Sequence, residues 1–123
     1  MNYPNPYALV IPGDSSFSFT AISNAAYFQR AIISLNGERA AVFNGRGEGI
    51  PMTTDNGGKE YQGAVRGNTQ VSLLFQFSID GANFSNAVVA AALSTPATVM
   101  IGTEDLNDGD NNDTVLTLNI SSL

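Results

Sequence analysis

Hydrophobic and polar positions alternate with a period of two along most of the chain. In Ser16–Ser23, the residues Phe17, Phe19 and Ala21 alternate with serine and threonine. This pattern is typical of a β-strand that buries one face. Similar runs predict further strands at Tyr27–Leu35, Arg39–Phe43, Gln70–Ile79, Ala87–Leu93, Thr98–Ile101 and Thr114–Ile120.

The connections between these runs also favour an all-β fold. Asn36-Gly37 and Asp80-Gly81 are predicted two-residue hairpin turns, because these residue types tolerate positive φ. Residues 44–68 carry seven glycines and predict a loop-rich connection with short strands near Ile50–Thr53 and Gln62–Val65. No stretch of ten or more residues combines a cap with helical spacing. The sequence therefore predicts one domain over residues 1–123, an antiparallel two-sheet β-sandwich of about nine short strands with Greek-key-like connections.

Composition excludes several classes of function. The chain has no His and no Cys, which removes His-based acid–base catalysis, thiol nucleophiles and the usual zinc, haem and iron–sulfur ligands. The net charge of −6 argues against nucleic-acid binding. No apolar run approaches the roughly 18 residues of a membrane span, and the first residues lack the features of a secretory signal. We expect a soluble protein that is cytoplasmic or exported by a non-classical route.

The negative charge is concentrated at one end of the chain. Residues 1–103 hold all five basic residues and six of the eleven acidic ones, whereas the last 20 residues hold five acidic residues and no basic one. Carboxylates crowded into one loop resist joint ionisation unless a cation lies among them. Hard oxygen donors without imidazole or thiolate favour calcium over zinc or copper. The oxygen donors of this acidic segment are Glu104, Asp105, Asp108, Asp110 and Asp113, interleaved with Asn107, Asn111 and Asn112.

Other interpretations of the acidic segment are weaker. A solvated acidic turn is possible, but the irregular spacing and the strand that follows argue against it. An EF-hand beginning at Asp108 would have Asp113 at the required glycine and Asn119 at the final glutamate, and its flanks are strands. A hydrolase that uses Glu104 and Asp113 as an acid–base pair is disfavoured, because carboxylate pairs are common and residues so crowded are better suited to share a metal.

The stretch Ile101–Val115 resembles the calcium loop of the LecB-type bacterial lectins, which bind fucose and mannose through two adjacent calcium ions. All acidic and amide positions of that loop are filled here. Upstream, Phe19–Ala26 is similar to the family's strand that leads into a ligand asparagine, Asn24. Asn36–Phe43 resembles the hairpin that follows. The resemblance is specific in the last third of the chain, moderate over residues 16–43 and weak over residues 44–95.

The resemblance implies two calcium ions per subunit, bridged by Asp110 and Asp113. It also implies that a chain terminus from a neighbouring subunit completes the second ion, so the protein would be at least a homodimer and possibly a tetramer. The implied ligands are Glu104, Asp108, Asp110 and Asp113 for one ion, and Asn24, Asp110, Asn112, Asp113 and the terminal carboxylate of Leu123 from a neighbouring subunit for the other.

The resemblance further implies that sugar hydroxyls fill the open calcium positions and that Asp105 accepts a hydrogen bond from the sugar. The residues after Asn24 tune sugar choice in the family. Here Ala25 and Ala26 are small and apolar, as in mannose-preferring members. The implied sugar-binding positions are Asn24, Ala25, Ala26, Asp105, Asp108, Asp110, Asp113 and Leu123.

The chain departs from the family pattern in a few places. Leu123 stands where the family usually ends in glycine, and Leu106 and Asn111 replace Gly and Tyr at positions that are not ligands. Glu48 falls near the position that contacts a fucose methyl group, where a carboxylate suits a hydroxymethyl group better. The resemblance as a whole implies a non-enzymatic, calcium-dependent bacterial lectin for mannose and/or fucose, with mannose preferred. The alternative is a calcium-stabilised structural or adhesion β-domain without sugar binding, which would need neither Asn24 nor a free C-terminus.

Overall fold

A computed structural model describes residues 2–104 and 113–123. These two ranges form ten strands, and every pairing between them is antiparallel. Across the same ranges, no helix has the length and apolar character that a membrane crossing requires. The strands are β1 (Tyr7–Ile11), β2 (Ser15–Leu35), β3 (Glu38–Pro51), β4 (Thr53–Thr54), β5 (Tyr61–Val65), β6 (Thr69–Ser78), β7 (Ser85–Asn86), β8 (Val88–Ser94), β9 (Thr98–Glu104) and β10 (Thr114–Ser122).

Strand β2 belongs to both layers of the fold. Its first half, residues 15–23, pairs with β10 along its length and with β5 over residues 15–19. Its second half, residues 28–35, lies between β6 and β3. The strand order is β1-β6-β2-β10-β9-β8, with β3 and β5 also joined to β2. Side chains from both halves of β2 pack into one core cluster, so the predicted antiparallel β-sandwich is confirmed.

The core is made by the period-two alternation. Phe17, Phe19 and Ala21 of β2 are buried, and so are Leu73 and Phe75 of β6. Burial of a large apolar side chain stabilises a fold by about 1.5–3 kcal/mol. The aliphatic and aromatic core therefore stabilises the strands that carry the polar residues of the candidate site.

The two predicted hairpin turns have different outcomes. Asn36 and Gly37 have φ values of 50° and 86°, and Leu35 pairs with Glu38 across the turn, as a two-residue turn requires. The prediction of a two-residue turn at Asp80-Gly81 is wrong, because residues 79–84 form a longer loop between β6 and β7. The Asp80 carboxylate accepts hydrogen bonds from backbone N–H groups of that loop, which favours the longer conformation.

Several strand bounds also differ from the predictions. The runs at 16–23 and 27–35 form a single strand, and β3 continues through the glycine-rich residues as far as Pro51. Glycine carries no side chain, so the alternation that marks a strand is invisible there. Strand β1 was not predicted, and it pairs with β6.

Candidate functional site

Three of the predicted site residues come together where β9 ends, β10 begins and β2 changes register. The backbone N–H of Asn24 donates to the carbonyl oxygen of Asp113 at 2.9 Å. The N–H of Asp113 donates to the carbonyl oxygen of Thr103 at 2.8 Å, and Glu104 is the next residue of β9. Backbone hydrogen bonds thus bring together Asn24 of β2, Glu104 of β9 and Asp113, which directly precedes β10.

Glu104 and Asp113 are buried, with 8% and 1% of their surface exposed. All six other acidic residues within the described ranges are exposed. Buried carboxylates are retained in proteins when they are paired, hydrogen-bonded or bound to a metal. Carboxylate and amide oxygens suit calcium. In the described part of the chain no group of three or more His, Cys, Asp or Glu side chains could hold a metal ion.

Asn24 lies under a glycine-rich part of β3. Its Oδ1 atom accepts a hydrogen bond of 2.9 Å from the N–H of Gly49. An amide oxygen has two lone pairs, so this bond and a calcium ion can share it. Gly47 has a φ of 103°, and a Cβ atom there would lie 2.9 Å from Cγ1 of Ile50. Glycine at residue 47 therefore permits the positive φ and the close approach of Ile50 that this part of β3 adopts.

The predicted sugar-contact alanines sit on a bulge of β2. Ala25 pairs with Gly47 and Gln29 pairs with Gly45, so β2 advances four residues while β3 advances two. Extra residues in one strand bend it and re-aim its side chains. Ala26 is exposed on this bulge, whereas Ala25 is buried.

Leu123 lies at the opposite end of β10 from Asp113. Strand β10 spans nine residues, which at about 3.3 Å per residue separates its two ends by roughly 30 Å. The N–H of Leu123 donates to the carbonyl oxygen of Asp14 at 2.9 Å, and its side chain is 65% exposed. Leu123 is thus distant from Asn24 of the same subunit.

The other predicted site residues lie outside the described residues. They are Asp105, Asp108, Asp110 and Asn112.

A layer of buried polar side chains beneath the site was not predicted. The Thr114 hydroxyl donates to Oε1 of Gln29 at 2.9 Å, and the N–H of Thr114 donates to Oγ1 of Thr103 at 3.2 Å. Ser23 is also buried here, with no hydrogen-bond partner for its hydroxyl among the described residues. Ser23 continues the inward face of Phe17, and a polar residue on such a face is the sequence signal that could have revealed this layer.

A family model described as fucose-binding lectin II (PA-IIL) matches residues 9–122. The chain belongs to this family. Membership of a lectin family supports carbohydrate binding and a non-enzymatic role for the protein. No relative was found among curated proteins.

Solved structures of bacterial lectins share the fold. A high-affinity mannose-binding lectin of Ralstonia solanacearum is 23% identical, covers 94% of this chain and 96% of its own, and has a TM-score of 0.65. A Chromobacterium violaceum lectin in complex with α-methyl-fucoside is 23% identical and has a TM-score of 0.68, and the match covers 98% of this chain and 99% of the other. The C-terminal domain of a Burkholderia cenocepacia lectin is 22% identical and has a TM-score of 0.62, and the match covers 100% of this chain and 99% of the other. The likeness extends over nearly the whole of each chain, so the proteins share their fold.

Proposed function

We propose that the protein is a calcium-dependent lectin that binds mannose and/or fucose through two adjacent calcium ions. The observation that carries this proposal is the pair of buried carboxylates, Glu104 and Asp113, at the two ends of an acidic segment. Asn24 is hydrogen-bonded to the backbone of Asp113, so a third oxygen donor lies at the same edge. Membership of a fucose-binding lectin family supports the same conclusion.

The charge balance supports two ions. When bound, two calcium ions supply four positive charges and open coordination positions for neutral hydroxyl groups, since calcium takes 6–8 oxygen ligands. On the protein side, four aspartate and glutamate carboxylates and one chain terminus would supply five negative charges, so the loaded site would be close to neutral with one negative charge in excess. The residues that would hold the ions are Asn24, Glu104, Asp108, Asp110, Asn112, Asp113 and Leu123 of a neighbouring subunit.

We infer a preference for mannose from the bulge of β2. Ala25 and Ala26 offer no hydroxyl group with which to hydrogen-bond a sugar. Glu48 would suit a hydroxymethyl group better than a methyl group. Asp105 would accept a hydrogen bond from the sugar. Because similar folds include one lectin described as mannose-binding and one in complex with a fucoside, both sugars belong in the test.

The position of Leu123 supports a dimer as the binding unit. Its carboxylate can reach a calcium site only in a neighbouring subunit, given the roughly 30 Å length of β10. An isologous two-fold dimer lets each subunit complete the other's site. A dimer or tetramer with several sugar sites would also gain avidity on a multivalent glycan.

Calorimetric titration with methyl α-mannoside and methyl α-fucoside tests the proposal. We expect both sugars to bind in excess calcium, the mannoside more tightly, and neither to bind after chelation. Re-addition of calcium should restore binding, and magnesium should not, because it is smaller and demands octahedral geometry. Sugar binding that survives chelation would overturn the calcium mechanism. Calcium uptake without binding of either sugar would identify a calcium-stabilised structural domain instead, and tighter binding of the fucoside would overturn the mannose preference alone.

A further inference from the structure

The side chain of Gln29 is an amide buried beneath the candidate site, with 1% of its surface exposed. Burial of an amide is unfavourable unless its polar atoms are hydrogen-bonded. Its Oε1 atom accepts from the hydroxyl of Thr114 at 2.9 Å, and its Nε2 atom donates to the carbonyl oxygen of Tyr27 at 3.3 Å. The hydrogen bond between Gln29 and Thr114 is itself buried and joins residues 85 positions apart.

Thr114 is the first residue of β10 and directly follows Asp113. Its N–H donates to Oγ1 of Thr103, while the neighbouring Asp113 N–H donates to the carbonyl oxygen of Thr103. The Thr114 hydroxyl adds a third attachment, to Gln29. Rotation or shift of the chain at residue 114 would move the Asp113 carboxylate, so these bonds limit where that carboxylate can lie.

Gln29 is also the residue at which β2 regains its pairing with β3 after the bulge. Residues 26–28 have no partner in the register between β2 and β3, and Gln29 pairs with Gly45. The Nε2 bond to Tyr27 holds the far side of the bulge as well. A single buried side chain therefore connects the bulge that carries Ala25 and Ala26 with the strand that begins beside Asp113.

We propose that Gln29 and Thr114 form a buried positioning pair that fixes Asp113 for calcium binding. The inference rests on the proposed calcium-dependent function and extends it to two residues that are not among the implied ligands of ion or sugar. Groups that orient metal ligands from behind typically change metal affinity by 10- to 100-fold when removed. Hydroxyl loss at residue 114 should therefore weaken calcium binding by about that factor.

The test compares Thr114→Val, Thr114→Ser and Gln29→Met with the wild type, and each protein is titrated with calcium by calorimetry after chelation. Valine has the shape of threonine without the hydroxyl, and serine keeps the hydroxyl. We expect weaker calcium binding in Thr114→Val and Gln29→Met and near-normal binding in Thr114→Ser. In the double variant Thr114→Val with Gln29→Met, the effect should be smaller than the product of the two single effects, because both single variants break one bond.

A buried threonine elsewhere provides the matched control. Thr69 is buried, and its hydroxyl donates to the carbonyl oxygen of Gly67 at 3.0 Å, at the start of β6. Thr69→Val should lower the melting temperature of the calcium-free protein without a change in calcium affinity. If Thr114→Val behaves in the same way, the pair is merely structural and the inference is overturned. A wild type that takes up no calcium would overturn the proposed function itself, which is a distinct result.

Discussion

Two regions of the molecule hold carboxylates in opposite ways. Asp80 lies on an exposed loop, and its Oδ1 atom accepts hydrogen bonds of 2.9 Å from the N–H groups of Ala82 and Asn83 and from the hydroxyl of Ser78. Its Oδ2 atom accepts from the side-chain amide of Asn83. These bonds, with the Asn83 and Ala82 N–H groups first, hold the pKa of the Asp80 carboxyl well below its usual range. Asp80 thus has its charge stabilised by hydrogen bonds from its own loop and from Ser78 at the end of β6.

Glu104 and Asp113 are buried instead, and the chain between them adds Asp105, Asp108 and Asp110. Several carboxylates in one place oppose joint ionisation, and backbone N–H groups carry no net charge with which to balance them. Under the proposed function the two regions differ in the source of the positive charge, which would be local amide dipoles for Asp80 and calcium ions for the buried pair. The lesson is that an acidic residue in a turn indicates a metal only where burial and crowding exceed what the turn's own amides can stabilise.

The largest expected effect is on calcium binding. Asp113→Asn should weaken calcium binding by more than the roughly 10- to 100-fold that loss of a supporting group costs, because it removes a charged ligand shared by both ions. Asp80→Asn, the matched change in the other region, should leave calcium affinity unchanged. Calorimetric calcium titration of both variants gives the comparison. Equal calcium affinities in Asp113→Asn and wild type would remove Asp113 from the site.

A third carboxylate extends the comparison, because the terminus of Leu123 is expected to act in a neighbouring subunit. A short C-terminal extension should weaken sugar binding by about tenfold, on the order of one lost charge-assisted contact. The same extension at the N-terminus is the control. Sugar titration together with a melting curve separates lost binding from unfolding. Full sugar affinity in the extended protein would show that the terminal carboxylate is not a ligand.

Calcium removal should change the effect of Asp113→Asn on the melting temperature and leave the effect of Asp80→Asn unchanged. Without calcium, Asp113→Asn relieves repulsion among the carboxylates, so its melting temperature should equal or exceed that of the wild type in chelator. In calcium the wild type should be the more stable, since ions that bind only the folded state stabilise it. Asp80→Asn should lower the melting temperature by the same small amount in both conditions. An Asp113→Asn variant that is equally destabilised with and without calcium would contradict this contrast.

The strands could be predicted from the sequence where apolar and polar side chains alternate, and could not be predicted where that alternation is absent. Phe17, Phe19 and Ala21 are buried as their spacing indicated. Residues 44–49 of β3 were predicted as loop. Their strand conformation depends on pairing with Ala25 and Gln29 of β2, which is a contact that the local pattern does not contain. The merging of two runs into β2 also depends on its partners in both layers.

The candidate site was predictable only as a set of residue types in order. The acidic segment and the resemblance to a lectin family pointed to Asn24, Glu104 and Asp113, and the fold brings these three together. The link from Gln29 to Thr114 was not predictable. It joins residues 85 positions apart, and neither residue type is unusual in a strand.

The smallest expected effect is the pH dependence of Asp80. A carboxyl whose pKa is lowered in the folded protein contributes stability that is present above the unfolded pKa of about 4 and lost as the pH falls through the folded pKa. The melting temperature of wild type should therefore exceed that of Asp80→Asn by a constant amount between about pH 5 and pH 8, and the gap should shrink below about pH 4. Both proteins are measured in chelator, so that acid release of calcium does not contribute, and the distant carboxylates affect both alike. A gap that widened on acidification would mean that the charged form of Asp80 is not the one its loop stabilises.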